Sequence, residues 1–187
     1  TPSYDLEKAI DQEYPVEGVT EESVREVLPR FLGEQEQIAP LFSAKSVDGV
    51  RAYELARKQY REAHKEKTDV MTDFDHTVAE TLNKQIINIS GMELISFFPN
   101  GKESGPELSD EGLRPNPRIN VVDTSALHLP LAMIRIKCSK GTYIRALARD
   151  LGEALGSGAH LNSLERTKSG GFTVGNCLSV NEVISVL

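Results

Sequence analysis

Cysteine is scarce in this sequence, and it has no long apolar run. Its 187 residues include only two cysteines, Cys138 and Cys177, whose separation does not match the spacing of metal ligands. Two cysteines do not make a disulfide scaffold, and because Cys138 ends a strand-like pattern, we predict that it is a small buried hydrophobe. No apolar run approaches the roughly 20 residues that span a bilayer, and no signal-peptide pattern begins the chain. These absences predict a soluble protein of a reducing, cytoplasmic compartment without membrane contact.

The chain also lacks an internal repeat and a glycine-rich nucleotide-binding motif. Residues 139–142, Ser-Lys-Gly-Thr, do not have the spacing of a P-loop. An apolar content of 39% over 187 residues can supply an ordinary hydrophobic core. We therefore expect one folded domain rather than a disordered chain.

Positive charge is in deficit overall, but the deficit is not spread evenly. The net charge is −7, and residues 1–36, with ten acidic and three basic side chains, account for all of it. Residues 45–67 carry seven basic and four acidic side chains, and residues 138–168 carry five basic and three acidic ones. Two modestly basic blocks are compatible with a nucleic acid partner, but solvated helix faces have similar compositions, so charge alone supports this interpretation weakly.

Residues 138–172 are the most informative part of the chain, because they begin where a strand pattern gives way to a helix pattern. Residues 132–138 alternate apolar and polar side chains, which is the period of a half-buried strand. Apolar residues then recur at helical spacing, and Gly156 follows the last of them as a helix stop. Ser139 or Thr142 is the predicted N-cap of this helix, whose free N–H groups attract anions. The junction carries Lys140, Tyr143 and Arg145.

Other segments also have interpretable patterns. Thr20 and the acidic residues after it begin a helical pattern over residues 19–31, in which Pro29 is expected to bend or shorten the helix. Further expectations, in chain order, are a loop over residues 37–47, a tight turn at 47–50, a charged helix over 51–67, a strand over 86–98, a long loop over 99–118 and a short helix over 179–187. Strands that alternate with amphipathic helices predict an α/β or α+β fold.

Three blocks of the sequence carry motif-like patterns. Residues 138–172 contain KGTYIR and GAHLNSLERT, residues 37–58 read QIAPLFSAKSVDGVRAYELARK, and Thr1, Ser3 and Asp5 precede both. The blocks resemble motifs of the TruB family of tRNA pseudouridine synthases. Residues 138–172 resemble its KGTYIR and GAHLxxLRRT motifs, residues 37–58 resemble QxPPxxSAxKxxGxRxYxLAR, and Thr1, Ser3 and Asp5 resemble the end of GxxTxTxD. Three matches in family order are a specific signal.

Two further motifs of that family are not found in these 187 residues. The family's catalytic aspartate belongs to GxLDPxATG, and a tyrosine that packs on the target base belongs to YRxxxxLG, both N-terminal to the TxTxD block. None of the nine aspartates of this sequence lies in a GxLD pattern. We therefore interpret residues 1–187 as the C-terminal portion of a catalytic domain, incomplete at its N-terminal side and without the RNA-binding module that often follows. We expect it to be inactive alone.

The resemblance also implies a fold. A pseudouridine synthase fold has a mixed, largely antiparallel sheet with flanking helices, and residues at about 38–70 correspond to a protruding thumb that contacts an RNA stem-loop. Residues 59–82 and 99–118 depart from shorter family members. Because an incomplete sheet exposes strand edges, we expect that the chain can self-associate.

The reaction implied by the resemblance is the isomerisation of uridine to pseudouridine in the T arm of tRNA, at position 55. The bond between ribose and uracil N1 breaks, the base turns while it stays bound, and the base is rejoined through C5. No atom is gained or lost, so neither a metal nor a small-molecule cofactor is implied. The target base leaves its stack to enter a pocket, and an ionised aspartate acts as the nucleophile.

Two residues of the junction match catalytic positions of the family. Arg145 matches the arginine that pairs with the upstream aspartate, and Tyr143 matches a tyrosine near the target uridine. The permanent charge and two-pronged donor geometry of Arg145 suit it to keep a carboxylate ionised beside a base. From position alone, a helix-surface arginine paired with a local acid and a packing tyrosine are the alternatives.

The implied substrate-binding residues lie in both basic blocks. They are Lys45, Arg51 and Tyr53 in the thumb block and Lys140, Leu164 and Arg166 in the later block. Lys140 either meets an RNA phosphate or braces the catalytic loop, and Leu164 either packs on the target base or belongs to the core. Glu165 replaces the first arginine of LRRT, which puts a negative charge near the expected phosphate contacts. His160 is interpreted as a structural histidine.

Two other interpretations stay open. One is a catalytically inactive tRNA-binding or RNA-folding module that keeps the thumb and the pocket without the nucleophile. The other is an unrelated soluble α/β protein, which requires three ordered motif matches to be accidental. The reading frame upstream of Thr1 separates the first alternative from an enzyme, because the enzyme requires GxLDPxATG there.

Overall fold

The computed structural model describes residues 1–40, 46–47, 50–51, 84–101 and 124–186 of the chain. In chain order, its elements are α1 (Glu21–Val27), a 3-10 turn (Leu28–Phe31), β1 (Gly33–Gln37), β2 (Ser46–Val47), β3 (Val50–Arg51), β4 (Gln85–Phe98), a 3-10 turn (Ser125–Leu127), β5 (Leu131–Cys138), α2 (Ile144–Ala154), β6 (Lys168–Ser169), β7 (Phe172–Thr173), a 3-10 turn (Val174–Asn176) and α3 (Val180–Val186). No helix within these ranges has both the length and the apolar character needed to cross a membrane.

The main sheet has three strands in the order β1-β4-β5. The long central strand β4 is antiparallel to both neighbours, and its first residue, Gln85, is the register partner of Gln37 at the end of β1. The register between β4 and β5 shifts between Ile89 and Gly91 and again between Leu94 and Ser96. Helices with antiparallel sheets confirm the predicted mixed α and β class and the pseudouridine synthase type of architecture.

The core lies between this sheet and the helices α1 and α2. Its buried members are Val24, Val27, Leu28, Ile87, Ile89, Leu94, Leu147 and Leu151. Each large aliphatic side chain taken out of water contributes roughly 1.5–3 kcal/mol. Because Leu147 and Leu151 belong to this cluster, the middle of α2 packs on the core, one turn after the junction at its start.

Helix α1 follows the sequence prediction closely. Thr20 is its N-cap, and Thr20 and Ser23 exchange hydrogen bonds between their side chains and backbone N–H groups, which makes a complete capping box. Pro29 lies in the 3-10 turn that directly follows α1. The prediction that Pro29 shortens the helix is therefore confirmed.

The segment after α1 corrects two predictions. Residue Gln37 was expected in a loop, but it ends β1, whose polar sequence GEQEQ carries no strand-like alternation. Arg51 was expected to begin a helix, but it lies in β3. The pairing of Val47 with Val50 confirms the tight connection between β2 and β3. The rest of the predicted charged helix lies outside the described residues, as does the predicted long loop after residue 101.

The second half of the chain mostly confirms the predicted elements. Strands β4 and β5 and helices α2 and α3 agree with prediction to within about two residues, and Gly156, with a φ of 69°, follows α2 as predicted. The predicted N-cap was wrong, because Tyr143 occupies that position. Cys138 was predicted to be buried and is exposed. It ends β5 at a point where both faces of the strand meet solvent.

Candidate functional site

The loop between β5 and α2, residues 139–143, is held by hydrogen bonds to β4. The Ser139 N–H donates to the Asn88 carbonyl at 2.8 Å, and the Asn88 N–H donates to Ser139 Oγ at 3.0 Å. Thr142 Oγ1 donates to the Ser139 carbonyl at 2.9 Å, which closes the loop on itself. Gly141 has a φ of 88°, a conformation that a residue with a Cβ rarely adopts. The loop therefore has one well-defined path.

Two glutamines complete the attachment of this loop. Gln37 Oε1 accepts the N–H of Tyr143 at 2.8 Å, and Gln37 Nε2 donates to the Tyr143 carbonyl at 3.1 Å. Gln85 Nε2 donates to the Gly141 carbonyl at 2.6 Å. The start of α2 is thus capped by a side chain from a distant strand, and neither Ser139 nor Thr142 serves as the predicted N-cap.

An N-terminal segment, residues 1–8, brings Asp5 to the same region. Asp5 Oδ1 accepts from Ser3 Oγ at 2.6 Å and from the Glu7 N–H at 3.0 Å. Thr1 Oγ1 donates to the Asp5 carbonyl at 2.6 Å, and Ser3 is fully buried. The two bonds to Asp5 Oδ1 are charge-assisted, and such bonds are among the stronger ones in proteins. The Asp5 carboxylate therefore has a fixed orientation.

Arg145, in the first turn of α2, pairs with Asp5. Its Nη1 lies 2.9 Å from Asp5 Oδ2 and 3.3 Å from the carbonyl of Ser3, and the side chains of Arg145 and Asp5 are only 22% and 17% exposed. Partial burial reduces screening by water, so this pair is stronger than a typical surface ion pair. Arg145 therefore has a carboxylate partner within the chain that the sequence analysis did not assign.

One helical turn further, Arg149 contacts the same N-terminal segment. Its guanidinium carbon lies 5.3 Å from the centroid of the Tyr4 ring, and its Nε donates to Asp150 Oδ1 at 2.7 Å. Burial disfavours the charge of Arg149, but Asp150 and then Tyr4 outweigh burial, so the pKa of the guanidinium is raised. Tyr4 itself has a left-handed φ of 57°. One face of α2 thus holds Tyr4 and Asp5 through two arginines.

The segment after α2 closes around the N-terminal residues. The Leu161 N–H donates to the Tyr4 carbonyl at 2.9 Å, and Ser157 Oγ donates to the Pro15 carbonyl at 2.7 Å. Burial lowers the pKa of His160, while the nearby carboxylate of Asp5 acts in the opposite direction. The neutral imidazole is therefore favoured at this position.

A cleft of about 220 Å³ lies where these segments meet. Its lining residues are Asp5, Leu6, Glu7, Leu161, Asn162, Ser163 and Leu164. The lining combines apolar side chains with the carboxylate of Asp5, which is paired with Arg145. Leu164 is 62% exposed, so it does not belong to the core, which was the alternative to a role in a pocket. A cleft with an apolar wall and an anchored charge suits a planar polar ring.

The structure brings some of the predicted site residues together. Arg145 and Leu164 are linked through Asp5, which contacts the first and lines the cleft with the second. Tyr143 is partly buried at the start of α2, while Lys140 and Arg166 are exposed. Lys45 and Tyr53 lie outside the described residues, and of Arg51 only its place in β3 is described. The roles assigned to these residues stay predictions.

Sequence reasoning missed two residues of the site. Asp5 was matched to a motif but was given no partner, and Gln37 was placed in a loop. Both act on residues more than 100 positions away in the chain, at sequence separations of 140 and 106. The available signal was that Asp5 and Gln37 both fall on motif positions with a polar side chain.

Comparisons with known proteins agree with the motifs. The family model for the TruB family pseudouridylate synthase (N terminal domain) matches residues 1–96, and that for the tRNA pseudouridylate synthase B C-terminal domain matches residues 145–187.

Similar proteins come from several bacteria. A tRNA pseudouridine synthase B of Parabacteroides distasonis is 42% identical over 183 residues, which are 98% of this chain and 57% of the relative. That of Phocaeicola vulgatus is 42% identical over 180 residues, or 96% of this chain and 56% of the relative. That of Deinococcus radiodurans is 33% identical over 186 residues, or 98% of this chain and 54% of the relative. The chain thus spans somewhat more than half the length of these relatives.

Proposed function

We propose that this chain, which belongs to the TruB family of pseudouridylate synthases, is part of a tRNA-modifying enzyme. The complete protein that contains it isomerises uridine to pseudouridine in the T arm of tRNA, at position 55. The observation that carries this proposal is the Asp5–Arg145 pair at the edge of a cleft whose other wall includes Leu164. The names of the relatives support tRNA as the substrate.

In the proposed reaction the uracil N1–ribose bond breaks and a C5–ribose bond forms. The proton at C5 leaves to solvent, and N1 gains a proton, so the composition of the RNA is unchanged. An aspartate from a GxLDPxATG motif, N-terminal to these residues, supplies the nucleophile. Beside a flipped base this carboxylate loses water and tends to take up a proton, and the fixed cation of Arg145 keeps it ionised.

The guanidinium of Arg145 is anchored by the N-terminal segment. Its nitrogen Nη1 meets both the Asp5 carboxylate and the Ser3 carbonyl. The pair orients the guanidinium, so that it is already placed when the nucleophile and the substrate assemble. Such preorganised charge stabilises a reacting group without any rearrangement during the reaction.

The proposed partner is the folded T stem-loop, with its target uridine extruded from the stack. The base packs on Leu164 and near Tyr143, while Lys140, Arg166 and the thumb at about residues 38–70 meet the RNA backbone. We place this reaction in the cytoplasm, with residues 1–187 acting as part of the catalytic domain.

We further propose that a polypeptide of these 187 residues alone does not isomerise uridine, because the sequence contains no GxLD pattern. A tRNA-binding or RNA-folding module without catalysis is the alternative function. Salt-sensitive binding of this polypeptide to a T-arm stem-loop without turnover would support separate recognition. Turnover by these 187 residues alone contradicts the assignment of the nucleophile to an upstream motif.

The test of the enzyme function uses the complete protein, a T-arm stem-loop and uridine tritiated at C5. Arg145→Ala is expected to lower kcat by about 10²-fold or more, because a preorganised charge at the reacting group is lost. Tritium release under saturating RNA measures this effect. Arg135→Ala is the matched control, since Arg135 forms an exposed ion pair with Glu93 at 3.0 Å, with side chains 61% and 64% exposed.

Equal rates for Arg145→Ala and Arg135→Ala would remove the role of Arg145. If the unaltered complete protein binds the stem-loop but releases no tritium, the enzyme function itself is wrong and the module without catalysis is favoured.

A further inference from the structure

We infer that Gln37 is a positioning residue for the reaction, because its side-chain amide clamps the main chain of Tyr143 at the start of α2. The inference rests on the proposed function and adds a residue that itself need not touch the substrate. Gln37 acts through Tyr143 and, two residues further, through Arg145. It thereby connects the β1–β4 end of the sheet to the cleft.

Gln37 is a buried polar side chain with both ends satisfied. It is only 2% exposed, and an amide buried without hydrogen-bond partners is strongly destabilising. Its oxygen accepts the Tyr143 N–H at 2.8 Å, and its nitrogen donates to the Tyr143 carbonyl at 3.1 Å. The reverse orientation of the amide would face donor to donor and acceptor to acceptor, so only one orientation satisfies both groups.

The clamp sets where α2 begins. The Tyr143 carbonyl also accepts the N–H of Leu147 at 3.1 Å, which is the first hydrogen bond of the helix, while the Tyr143 N–H has no partner within the helix. Fixing both groups of Tyr143 fixes the start and the rotation of α2. The direction of Arg145 towards Asp5 depends on that rotation.

A second glutamine, Gln85, attaches the same loop to the same end of the sheet. Gln85 is the register partner of Gln37 and donates to the Gly141 carbonyl at 2.6 Å. Two glutamines at one end of the β1–β4 ladder thus hold the loop at two points. The left-handed Gly141 lies between Ser139 and Tyr143, the other two loop residues that are bonded to the sheet. Misplacing a catalytic group by about 1 Å can cost about 10²-fold in rate, so such anchoring has a kinetic consequence.

The test replaces Gln37 by glutamate in the complete protein. A protonated glutamate has one acceptor and one donor and reproduces both bonds of the amide, whereas the ionised form puts a second acceptor against the Tyr143 carbonyl. Burial favours the protonated form, which brings its titration towards the assay range. The Gln37→Glu variant is therefore expected to have nearly parental kcat at low pH and to lose at least about tenfold relative to the parent as pH rises, with KM little changed.

A second readout does not depend on activity. The amide resonance of Tyr143 in the Gln37→Glu protein is expected to shift with pH over the same interval as kcat, since the group that accepts its N–H is titrating. Gln35→Glu is the matched control, because Gln35 lies on the same strand and donates to the Phe31 carbonyl at 2.7 Å, away from the loop. Neither kcat nor the Tyr143 resonance of Gln35→Glu is expected to acquire this pH dependence.

Three results would overturn the inference. These are a Gln37→Glu activity profile parallel to that of the parent, a loss of activity that follows unfolding at the assay temperature, and a Tyr143 resonance that does not titrate. A parent protein without isomerase activity would instead remove the proposed function, and the amide resonance would still decide whether Gln37 holds the loop.

Discussion

His160 precedes the residues that line the cleft, and its surroundings favour the neutral imidazole. Burial lowers the pKa of His160 below its usual value of 6.5. The unfolded chain therefore takes up a proton at higher pH than the folded chain does, so this contribution to stability is present above about pH 6.5 and is lost as pH falls towards the lowered pKa.

We predict that His160→Gln makes stability less dependent on pH in this interval. Between pH 7.5 and pH 5, the melting temperature of the parent should fall further than that of the variant, because the variant has no imidazole at this position to protonate. Thermal unfolding followed by circular dichroism at both pH values measures the difference. His128→Gln, at an exposed position, is the control and should follow the parent. A His160→Gln protein with the same pH dependence as the parent contradicts the prediction.

Single residues were also where sequence reasoning had least power. The motif placed Arg145 correctly at the start of a helix, but its contact with Asp5 joins residues 140 positions apart. No periodicity encodes such a contact, because it depends on how α2 packs on the sheet. The prediction that Cys138 is buried was wrong for a related reason. Its place in an alternating pattern favoured burial, and only the packing decides whether the last residue of a strand is covered.

At the level of elements, α2 and the segment after it meet at Gly152. A Cβ at Gly152 would approach the backbone of Gly158 and Ala159 more closely than Cβ atoms do in proteins. Gly152 is therefore required by close packing rather than by its backbone conformation. This contact holds residues 158–164, which include His160 and one wall of the cleft, against the helix.

We predict that Gly152→Ala destabilises the protein by about 1–3 kcal/mol, because the backbone it would meet cannot move aside cheaply. The gain in helix propensity from alanine, about 1 kcal/mol, does not offset this clash. Chemical denaturation at equilibrium measures the effect. Gly18→Ala is the matched control, since nothing lies within 4 Å of a Cβ there, and it should be neutral or slightly stabilising. Similar stabilities for the two variants would contradict the close packing at Gly152.

Most elements could be predicted because their sequences are periodic. Strand β5 and helix α2 were predicted from the spacing that burial of one face imposes, whereas β4 was predicted from its strand-like composition. Strand β1 was missed because GEQEQ has no apolar alternation. It is a strand through its pairing with β4, with partners from Gly33↔Ile89 to Gln37↔Gln85. The N-cap of α2 was missed because the capping group comes from another strand.

At the level of the whole molecule, the main sheet has two outer strands within the described residues. These are β1 and β5, and in that part of the chain each pairs only with β4. On the outer strand β5, the apolar side chain of Met133 is 38% exposed. Open edges with apolar side chains are templates for pairing between chains.

We therefore predict that a polypeptide of these 187 residues self-associates through the edge at β5. Met133→Lys puts a charge on that edge strand, which opposes strand pairing between copies, and it is expected to shift the protein towards monomer in sedimentation velocity at high concentration. Leu178→Lys is the matched control, because Leu178 is 63% exposed but lies outside the sheet. If Leu178→Lys dissociates the protein and Met133→Lys does not, the C-terminal apolar residues rather than the edge join the copies. A parent chain that stays monomeric removes the prediction altogether.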